Sequence, residues 1–489
     1  MKITDNKVLI DYDLTPQVLD ALTLFIADMD DISLEIKKST ISVLNFDIPL
    51  AVSSVSFEDC LFKKATIISG LQKGRTFKFI NCNKQFFLGN VKLKKIHCSV
   101  LVIKQTDNNN DPESNRYADS VCPDIEESQI DHLECKVVHP PFFSKVIFTG
   151  EIIVESSTEH ESSNLSFDDC KFSNRAELKI SIQSPLFINI RNCKNFDTDD
   201  SFIMMPVNFY NHLKIKHLGI SNSQIGKINF HLFGATIENI EISDSSLKDL
   251  DCGTIKKEKD DSAHHDSIYN ISITNSSLNK FSVRHRKIIH EIVLTNSTFK
   301  VPPQFFDANI PEGSEFPNQK HFLSRKGDHD ASCYRALRFI MESQRNRELE
   351  GMFFSLEKES LLNNQSKIKK YLSISYFYFL LSDYGTNYRT PLLTLLVSIP
   401  IFTLIYSAIN SNTISFSLPI DWDLIIKSFI ITLKQTFLPF EILRNNDFLS
   451  AKPSTPAILT IFTGVINSLF SISLLALSAL ALRWKFKRG

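Results

Sequence analysis

The sequence lacks the motifs that mark most enzymes and metal sites. It has no phosphate-binding glycine loop, no nucleophile elbow and no His/Cys/Asp set with triad-like spacing. Its nine cysteines form no close CxxC pair, and no HxxxH pair is present. The formal net charge of -1 gives no reason to expect a nucleic-acid partner. We therefore expect no catalytic residue, no cofactor and no metal.

The start of the chain and its cysteine count both indicate a reducing compartment. The opening residues, MKITDNKVLIDYDLTPQV, contain no apolar run of signal-peptide length and no small-residue cleavage site. An odd number of cysteines fits the cytoplasm better than a disulfide framework. We expect the N-terminal region to be cytoplasmic.

Glycine is scarce, at 14 of 489 residues, yet most of the chain repeats. The repeated phrase is apolar, any, apolar, any, Asn or Asp, then Cys or Ser, with a spacing of about 21 to 23 residues that predicts a solenoid. Copies end at Cys60, Cys82, Cys170, Cys193, Ser223, Ser245, Ser276 and Ser297, with weaker ones at Cys98 and Cys135.

Each phrase predicts a short strand followed by a tight turn. Alternation places one face of the strand inward, and Asn or Asp supplies the left-handed turn conformation that other side chains resist. Stacked coils would then form a hydrogen-bonded asparagine ladder at Asn81, Asn192, Asn222, Asn275 and Asn296. A second stack would hold small buried thiols at Cys60, Cys82, Cys98, Cys135, Cys170 and Cys193.

This organisation resembles right-handed parallel β-helices and, more loosely, pentapeptide-repeat proteins, although a strict A(D/N)LXX repeat is absent. We predict a mainly β fold with the β-helix and its polar inserts at 41–310. Residues 1–40 would cap it, because an open solenoid end exposes unpaired strand groups. Within that cap, 15–28 predict a helix with Thr15 as N-cap and Pro16 at the first position.

Two uncharged apolar stretches, 391–409 and 456–482, predict transmembrane helices. Their 19 and 27 residues compare with the roughly 20 needed to cross a bilayer. Basic residues flank the outer ends of the pair, whereas the charges of the connecting loop, 410–455, balance. The positive-inside rule therefore places both chain ends in the cytoplasm.

The region before the first apolar stretch has helical periodicity. Residues 320–370 predict a helical hairpin, and 371–383 predict an aromatic interfacial helix at the start of the membrane module, 371–489. The motifs LLSDYG at 380–385 and ALRWKF at 481–486 make this part similar to the C-terminal module of bacterial pentapeptide-repeat membrane proteins. The resemblance implies a bacterial inner-membrane protein and brings no catalytic residue.

The segment 423–443, between the apolar stretches, is the candidate for a role beyond anchoring. It resembles the pore helix of two-span cation channels, but Pro439, Phe440 and Glu441 stand where a potassium channel has its glycine-containing filter. Lys427 and Lys434 favour an amphipathic helix on the outer leaflet instead.

Carboxylates and two polar inserts provide the enzyme and metal alternatives. Asp59, Asp168, Asp169 and Asp244 could form catalytic pairs, but three of them occupy the turn position of the repeat. The insert at 106–119 begins like a calcium-binding loop but lacks the glycine that such a loop requires. The insert that contains His264 and His265 is interpreted as a solvated loop.

Two functions remain open. The first is a membrane-anchored cytoplasmic scaffold or sensor, whose solenoid binds a protein partner. The second is a channel or membrane-perturbing effector that forms homo-oligomers and is gated by the solenoid. Both have the lipid bilayer as a partner.

Overall fold

The computed structural model forms two compact units, 1–324 and 325–489. It describes residues 2–4, 7–26, 29, 31–43, 45–49, 51–62, 66–80, 82, 91–104, 124–136, 141–156, 163–173, 176–182, 185–195, 206–209, 214–230, 236–253, 267–410, 422–440 and 455–486.

The first unit is a parallel β-solenoid of about eight turns, which confirms the predicted fold class. Its strands are β1 Lys2–Thr4, β2 Lys7–Ile10, β3 Ile32–Lys37, β4 Thr40–Ile41, β5 Asn45–Asp47, β6 Val52–Glu58, β7 Leu61–Phe62, β8 Thr66–Ile80, β9 Val91–Lys104, β10 Asp124–Glu126, β11 Gln129–Lys136, β12 Phe142–Ser144, β13 Ile147–Phe148, β14 Glu151–Ser156, β15 Ser163–Asp168, β16 Lys171–Phe172, β17 Glu177–Ile182, β18 Leu186–Arg191, β19 Lys194–Asn195, β20 Pro206–Phe209, β21 Lys214–Ser221, β22 Gln224–Asn229, β23 Thr236–Ser243, β24 Ser246–Asp251, β25 Ser267–Thr274, β26 Ser277–Ser282, β27 Lys287–Val293 and β28 Thr298–Phe299.

Parallel pairing arranges the longer strands in two columns. Column A runs through β2, β3, β6, β8, β9, β11, β14, β17, β20, β22, β24 and β26. Column B runs through β5, β8, β9, β10, β12, β15, β18, β21, β23, β25 and β27. The long strands β8 and β9 belong to both columns, one half to each.

The core consists of apolar side chains stacked in register. In column B, Phe143, Phe167 and Ile190 lie opposite one another in successive coils and are fully buried. The rings of Phe143 and Phe167 stack with centroids 4.9 Å apart. The alternation seen in the sequence thus becomes continuous inward columns, in which each coil covers the apolar edge of the preceding coil.

The coils turn through residues in the left-handed conformation. Such φ values, between 45° and 54°, occur at Lys38, Asp59, Glu127, Lys145, Asp169, Asn192, Asn222, Asp244, Asn275 and Asn296. The Asn and Asp positions follow the sequence prediction. The two lysines and the glutamate were not predicted, because their side chains carry no intrinsic preference for this conformation.

The N-terminal cap is shorter than predicted. Helix α1, Pro16–Ile26, is capped by Thr15, whose Oγ1 accepts a 3.4 Å hydrogen bond from the Val18 N–H. The end strand β1 pairs antiparallel with β2, but β2 and β3 already pair in parallel. Regular coils therefore begin well before residue 41.

The second unit is helical. Its helices are α2 Asp328–Ser343, α3 Arg347–Asn363, α4 Lys367–Tyr371, α5 Ile374–Ser382, α6 Arg389–Asn410, α7 Trp422–Phe437 and α8 Thr455–Phe486. Helices α6 and α8 are long and apolar enough to cross a membrane, in agreement with the two predicted stretches. Helices α2 and α3 form the predicted hairpin.

A buried carboxylate joins the two helices of the hairpin. Glu357 has a side chain only 3% exposed, and it pairs with Arg335 at 2.9 Å and Arg338 at 2.8 Å. The Asn346 side chain caps α3 by accepting a hydrogen bond from the Leu349 N–H. Because both carboxylate oxygens are paired, a buried charge holds α2 and α3 together.

Candidate functional site

A buried residue follows each of the ten left-handed turn residues named above, and we call its position the turn slot. Column A has slots at Ser39 and Cys60, and column B has slots at Ser128, Val146, Cys170, Cys193, Ser223, Ser245, Ser276 and Ser297. The half-buried Cys82 continues column A after Cys60, and its Sγ donates to the carbonyl of Phe57 at 3.5 Å. The predicted single cysteine stack is therefore wrong. Cys60 with Cys82, and Cys170 with Cys193, are two pairs in different columns.

Two of the predicted stack members lie outside the slots. Cys135 is the next-to-last residue of β11, opposite Val154, and Cys98 is within β9, opposite Ile130. Cys135 matched the repeated phrase because alternation within β11 also places this residue on the inward face.

The serines of column B form a chain of hydrogen bonds along the solenoid. Ser276 Oγ donates to the carbonyl of Thr274 at 2.7 Å and accepts from the Ser245 N–H at 3.1 Å. The same pattern joins Ser223 to Ser245 at 3.1 Å and Ser276 to Ser297 at 3.3 Å. Each hydroxyl thus accepts from a buried backbone N–H that the turn leaves without a carbonyl partner.

Cysteine fills the slot with a weaker donor. Cys193 Sγ donates to the carbonyl of Arg191 at 3.2 Å, two residues back, as the serines do. A side-chain hydrogen bond with Cys170, together with burial, raises the pKa of Cys193. A hydrogen bond with Cys60 and burial likewise raise the pKa of Cys82. These thiols are protonated at neutral pH and act as packing groups, not as nucleophiles.

The predicted asparagine ladder is present in part. Asn222 Nδ2 donates to Asn192 Oδ1 at 2.9 Å, and Asn275 and Asn296 take the expected turn conformation. Asn81 lies outside the described residues. A carboxylate, Asp244, interrupts the row between Asn222 and Asn275.

A second asparagine ladder, not predicted, lies on the outer face of column B. Asn270 Nδ2 donates to Asn239 Oδ1 at 2.7 Å, and Asn239 Nδ2 donates to the carbonyl of Lys216 at 3.3 Å. These residues occupy outward positions of β21, β23 and β25. Their spacing of 31 residues is hidden in the sequence by an insert, 254–266, that lies outside the described residues.

Next to this ladder, a β-bulge exposes aromatic and apolar side chains. The register between β25 and β27 shifts after Ile268, so that one residue of β25, Tyr269, faces two of β27. Tyr269, Ile289 and His290 are exposed, and the Tyr269 and His290 rings lie 5.7 Å apart. We call Asn239, Tyr269, Asn270, Ile289 and His290 the outer patch. Bulges commonly redirect side chains at functional surfaces.

The carboxylates considered for catalysis occupy structural positions. Asp59, Asp169 and Asp244 have φ of 54°, 51° and 49°, and Asp168 ends β15. Both inserts considered for metal binding, 106–119 and 254–266, lie outside the described residues. Among the residues that are described, no group of three potential metal ligands occurs.

Helix α7 has its polarity reversed relative to a helix of a soluble protein. It buries Ser428, Thr432, Gln435 and Thr436, and it exposes Trp422, Ile426, Phe429, Ile430 and Phe437. The polar face packs against α6 and α8. Thr403 Oγ1 of α6 donates to Thr432 Oγ1 at 3.3 Å, and Ser468 Oγ of α8 donates to Gln435 Oε1 at 3.0 Å.

These contacts are near the middle of α6 and α8, not at their ends. A helix lying on the surface of a bilayer would contact only the ends of two spans. The preferred sequence interpretation, an amphipathic helix on the outer leaflet, did not include these contacts and stays a prediction. The sequence prediction for this helix rested on Lys427 and Lys434. It did not consider the hydroxyl side chains between them, which form the buried polar stripe.

The candidate pore residues do not form a filter in the described part of the chain. Lys427 is 74% exposed and lies 3.9 Å from Asp423, and Lys434 is exposed as well. Pro439 and Phe440 form an exposed turn after α7, in which the Phe440 N–H donates to Ser468 Oγ at 3.1 Å. Glu441 lies outside the described residues.

The LLSDYG motif forms a tight turn packed against α3. Asp383, Tyr384 and Gly385 have φ of 47°, 56° and 83°. The Ser355 hydroxyl of α3 donates to the Asp383 carboxylate. Burial raises the pKa of the Tyr384 hydroxyl. The motif therefore positions the hairpin relative to α5 and needs no catalytic role to account for it.

No family model, no curated protein and no solved structure matches this chain.

Proposed function

We propose that this protein is a membrane-anchored β-solenoid scaffold, with its solenoid and C-terminus in the bacterial cytoplasm. The main observation that supports a membrane anchor is the reversed polarity of α7. In water, burying Gln435 and three hydroxyls while exposing five large apolar side chains would be unfavourable. In a bilayer the same arrangement is favourable, because lipid covers the apolar face and helices satisfy each other's polar groups.

The outer patch is the proposed docking surface for a protein partner. A solenoid has a rigid, extended flank, and recognition by repeat proteins uses such flanks. Exposed Tyr269 and Ile289 can serve as apolar anchors, and the Asn239–Asn270 ladder offers amide groups beside them. Aromatic anchors surrounded by polar groups are typical of protein interfaces.

Photo-cross-linking in cells tests this surface. A photoreactive amino acid in place of Tyr269 should give a discrete cross-linked protein. The adduct should disappear when I289E is added and should persist with K287E, a change at an exposed neighbour in the same strand. Adducts unaffected by I289E would exclude the outer patch as the docking surface.

A second candidate is a pore, and one observation favours it. Ser428 Oγ is buried between the helices without a hydrogen bond, and Tyr406 and Asn467 add a buried polar pair there. Unsatisfied polar groups are costly in lipid, so they favour water or an ion in their vicinity. Liposomes containing the full chain should remain ion-tight if it is a scaffold. A leak that N467L abolishes would establish the pore instead.

A further inference from the structure

The segment between the hairpin and α6 combines exposed apolar side chains with unpaired lysines. Ile368, Leu372 and Ile374 are 75%, 77% and 89% exposed. Lys367 and Lys369 are exposed beside them. Within the described part of the chain, no carboxylate lies within salt-bridge distance of either lysine.

Three carboxylates of α3 are already paired with arginines, and Asp383 is hydrogen-bonded. Glu350 pairs with Arg347 at 2.6 Å and Glu359 with Arg325 at 2.8 Å, while Glu357 holds two arginines. Asp383 accepts the Ser355 hydroxyl. The positive charge of α4 is therefore left for a partner outside the unit.

This segment lies at the level where the two long helices begin and end. α5 packs against both α6 and α8. The Phe402 and Phe470 rings are 6.4 Å apart, and Tyr406 is next to Asn467, so the helices are antiparallel. Arg389 precedes Phe402 by thirteen residues, and Arg483 follows Phe470 by thirteen residues. Since each helical residue rises about 1.5 Å, the two arginines lie at the same level along the helix pair.

We infer that α4 and the start of α5 form a binding site for anionic phospholipid headgroups, with Lys367 and Lys369 on the phosphates and with Arg389 and Arg483 adding positive charge at the ends of the two long helices. The exposed apolar side chains, including Leu372 and Ile374, enter the acyl boundary. Basic clusters next to a transmembrane helix attract anionic lipids, and amphipathic segments at the interface bury their apolar face. The inference rests on the proposed membrane anchor and adds the lipid class and the residues that select it.

Lysine acetylation of the unaltered full chain tests the site. The chain is reconstituted in vesicles of phosphatidylcholine alone, in the same vesicles with added inorganic phosphate, and in vesicles that also contain phosphatidylglycerol. We expect Lys367 and Lys369 to react about fivefold more slowly only with phosphatidylglycerol. Exposed Lys287 of the solenoid should react equally in all three and serves as the reference.

Lipid retention measured by native mass spectrometry gives a second readout. K367Q/K369Q should weaken phosphatidylglycerol retention by about fivefold for each lysine removed, and K427Q on α7 should not. Equal acetylation with and without phosphatidylglycerol, protection by free phosphate, or equal retention by the two variants would overturn the inference. Failure of the chain to float with either kind of vesicle would refute the membrane anchor instead.

Discussion

Replacing Ser276 tests whether the turn slots hold the solenoid together. S276A removes the hydroxyl that accepts from the Ser245 N–H and donates to the Thr274 carbonyl. The Thr274 carbonyl still accepts a 3.1 Å hydrogen bond from the Asp244 N–H. The loss is therefore mainly one buried, unsatisfied N–H, which costs about 2 kcal/mol. At about 1.4 kcal/mol per tenfold change, local opening becomes about 30-fold more frequent.

Hydrogen exchange with mass spectrometry measures this opening directly. Amide exchange around Ser245 should be about 30-fold faster in S276A than in the unaltered chain. S276C should stay within about fivefold, because the Cys193 thiol accepts from the Cys170 N–H and donates to the equivalent carbonyl of Arg191. S272A, in the preceding strand β25 and half-exposed, is the matched control. Equal amide exchange rates in S276A and S272A would refute the role of the slot. Equal acceleration of exchange by S276A and S276C would refute it as well.

Three further predictions concern the helical unit. E357A should lower its free energy of unfolding by about 2 kcal/mol, seen in urea titration of the helical signal, whereas exposed E348A should leave it within about 0.5 kcal/mol; equal effects would contradict the buried ion-pair network. G385A should cost about 1 to 3 kcal/mol, because φ is 83° at this residue and a Cβ atom would lie 2.6 Å from a tyrosine hydroxyl; an unchanged urea midpoint would refute the turn geometry. Burial raises the pKa of Cys333 to about 12. The free energy of unfolding should therefore fall as pH rises above about 8.5, because the thiol ionises in the unfolded state but not in the folded state. C333A should lose this part of the pH dependence.

The solenoid was predictable because its repeat encodes both the strand and the turn. Alternating apolar residues ending in Asn or Asp, as at Asn192 and Asn222, specify an inward face and a left-handed turn. The sequence could not show that the slots fall into two columns, since strands in both columns share one pattern. Coils that turn through Lys38, Glu127 or Lys145 were also hidden, because neighbouring coils and not local preference impose their conformation.

The position of α7 was harder to predict than its existence. Its helical spacing is plain in the sequence, but two opposite environments are compatible with an amphipathic helix. In water the apolar face packs inward, whereas in lipid it packs outward. The contacts of Thr432 and Gln435 with α6 and α8 leave the apolar face outward, which supports the proposed membrane location. The outer patch was invisible because its bulge depends on the register between β25 and β27.

A photoactivated carbene reagent dissolved in the bilayer tests the central claim, that α7 is embedded in lipid with its polar face against two membrane spans. The reagent is applied to the full chain in vesicles, and the labelled residues are mapped by mass spectrometry. We expect the reagent to label Ile426, Phe429, Ile430 and Phe437. It should not label Ser428, Thr432 or Gln435, or any residue of the solenoid. An unlabelled α7, or labelling on its polar face, would contradict the claim.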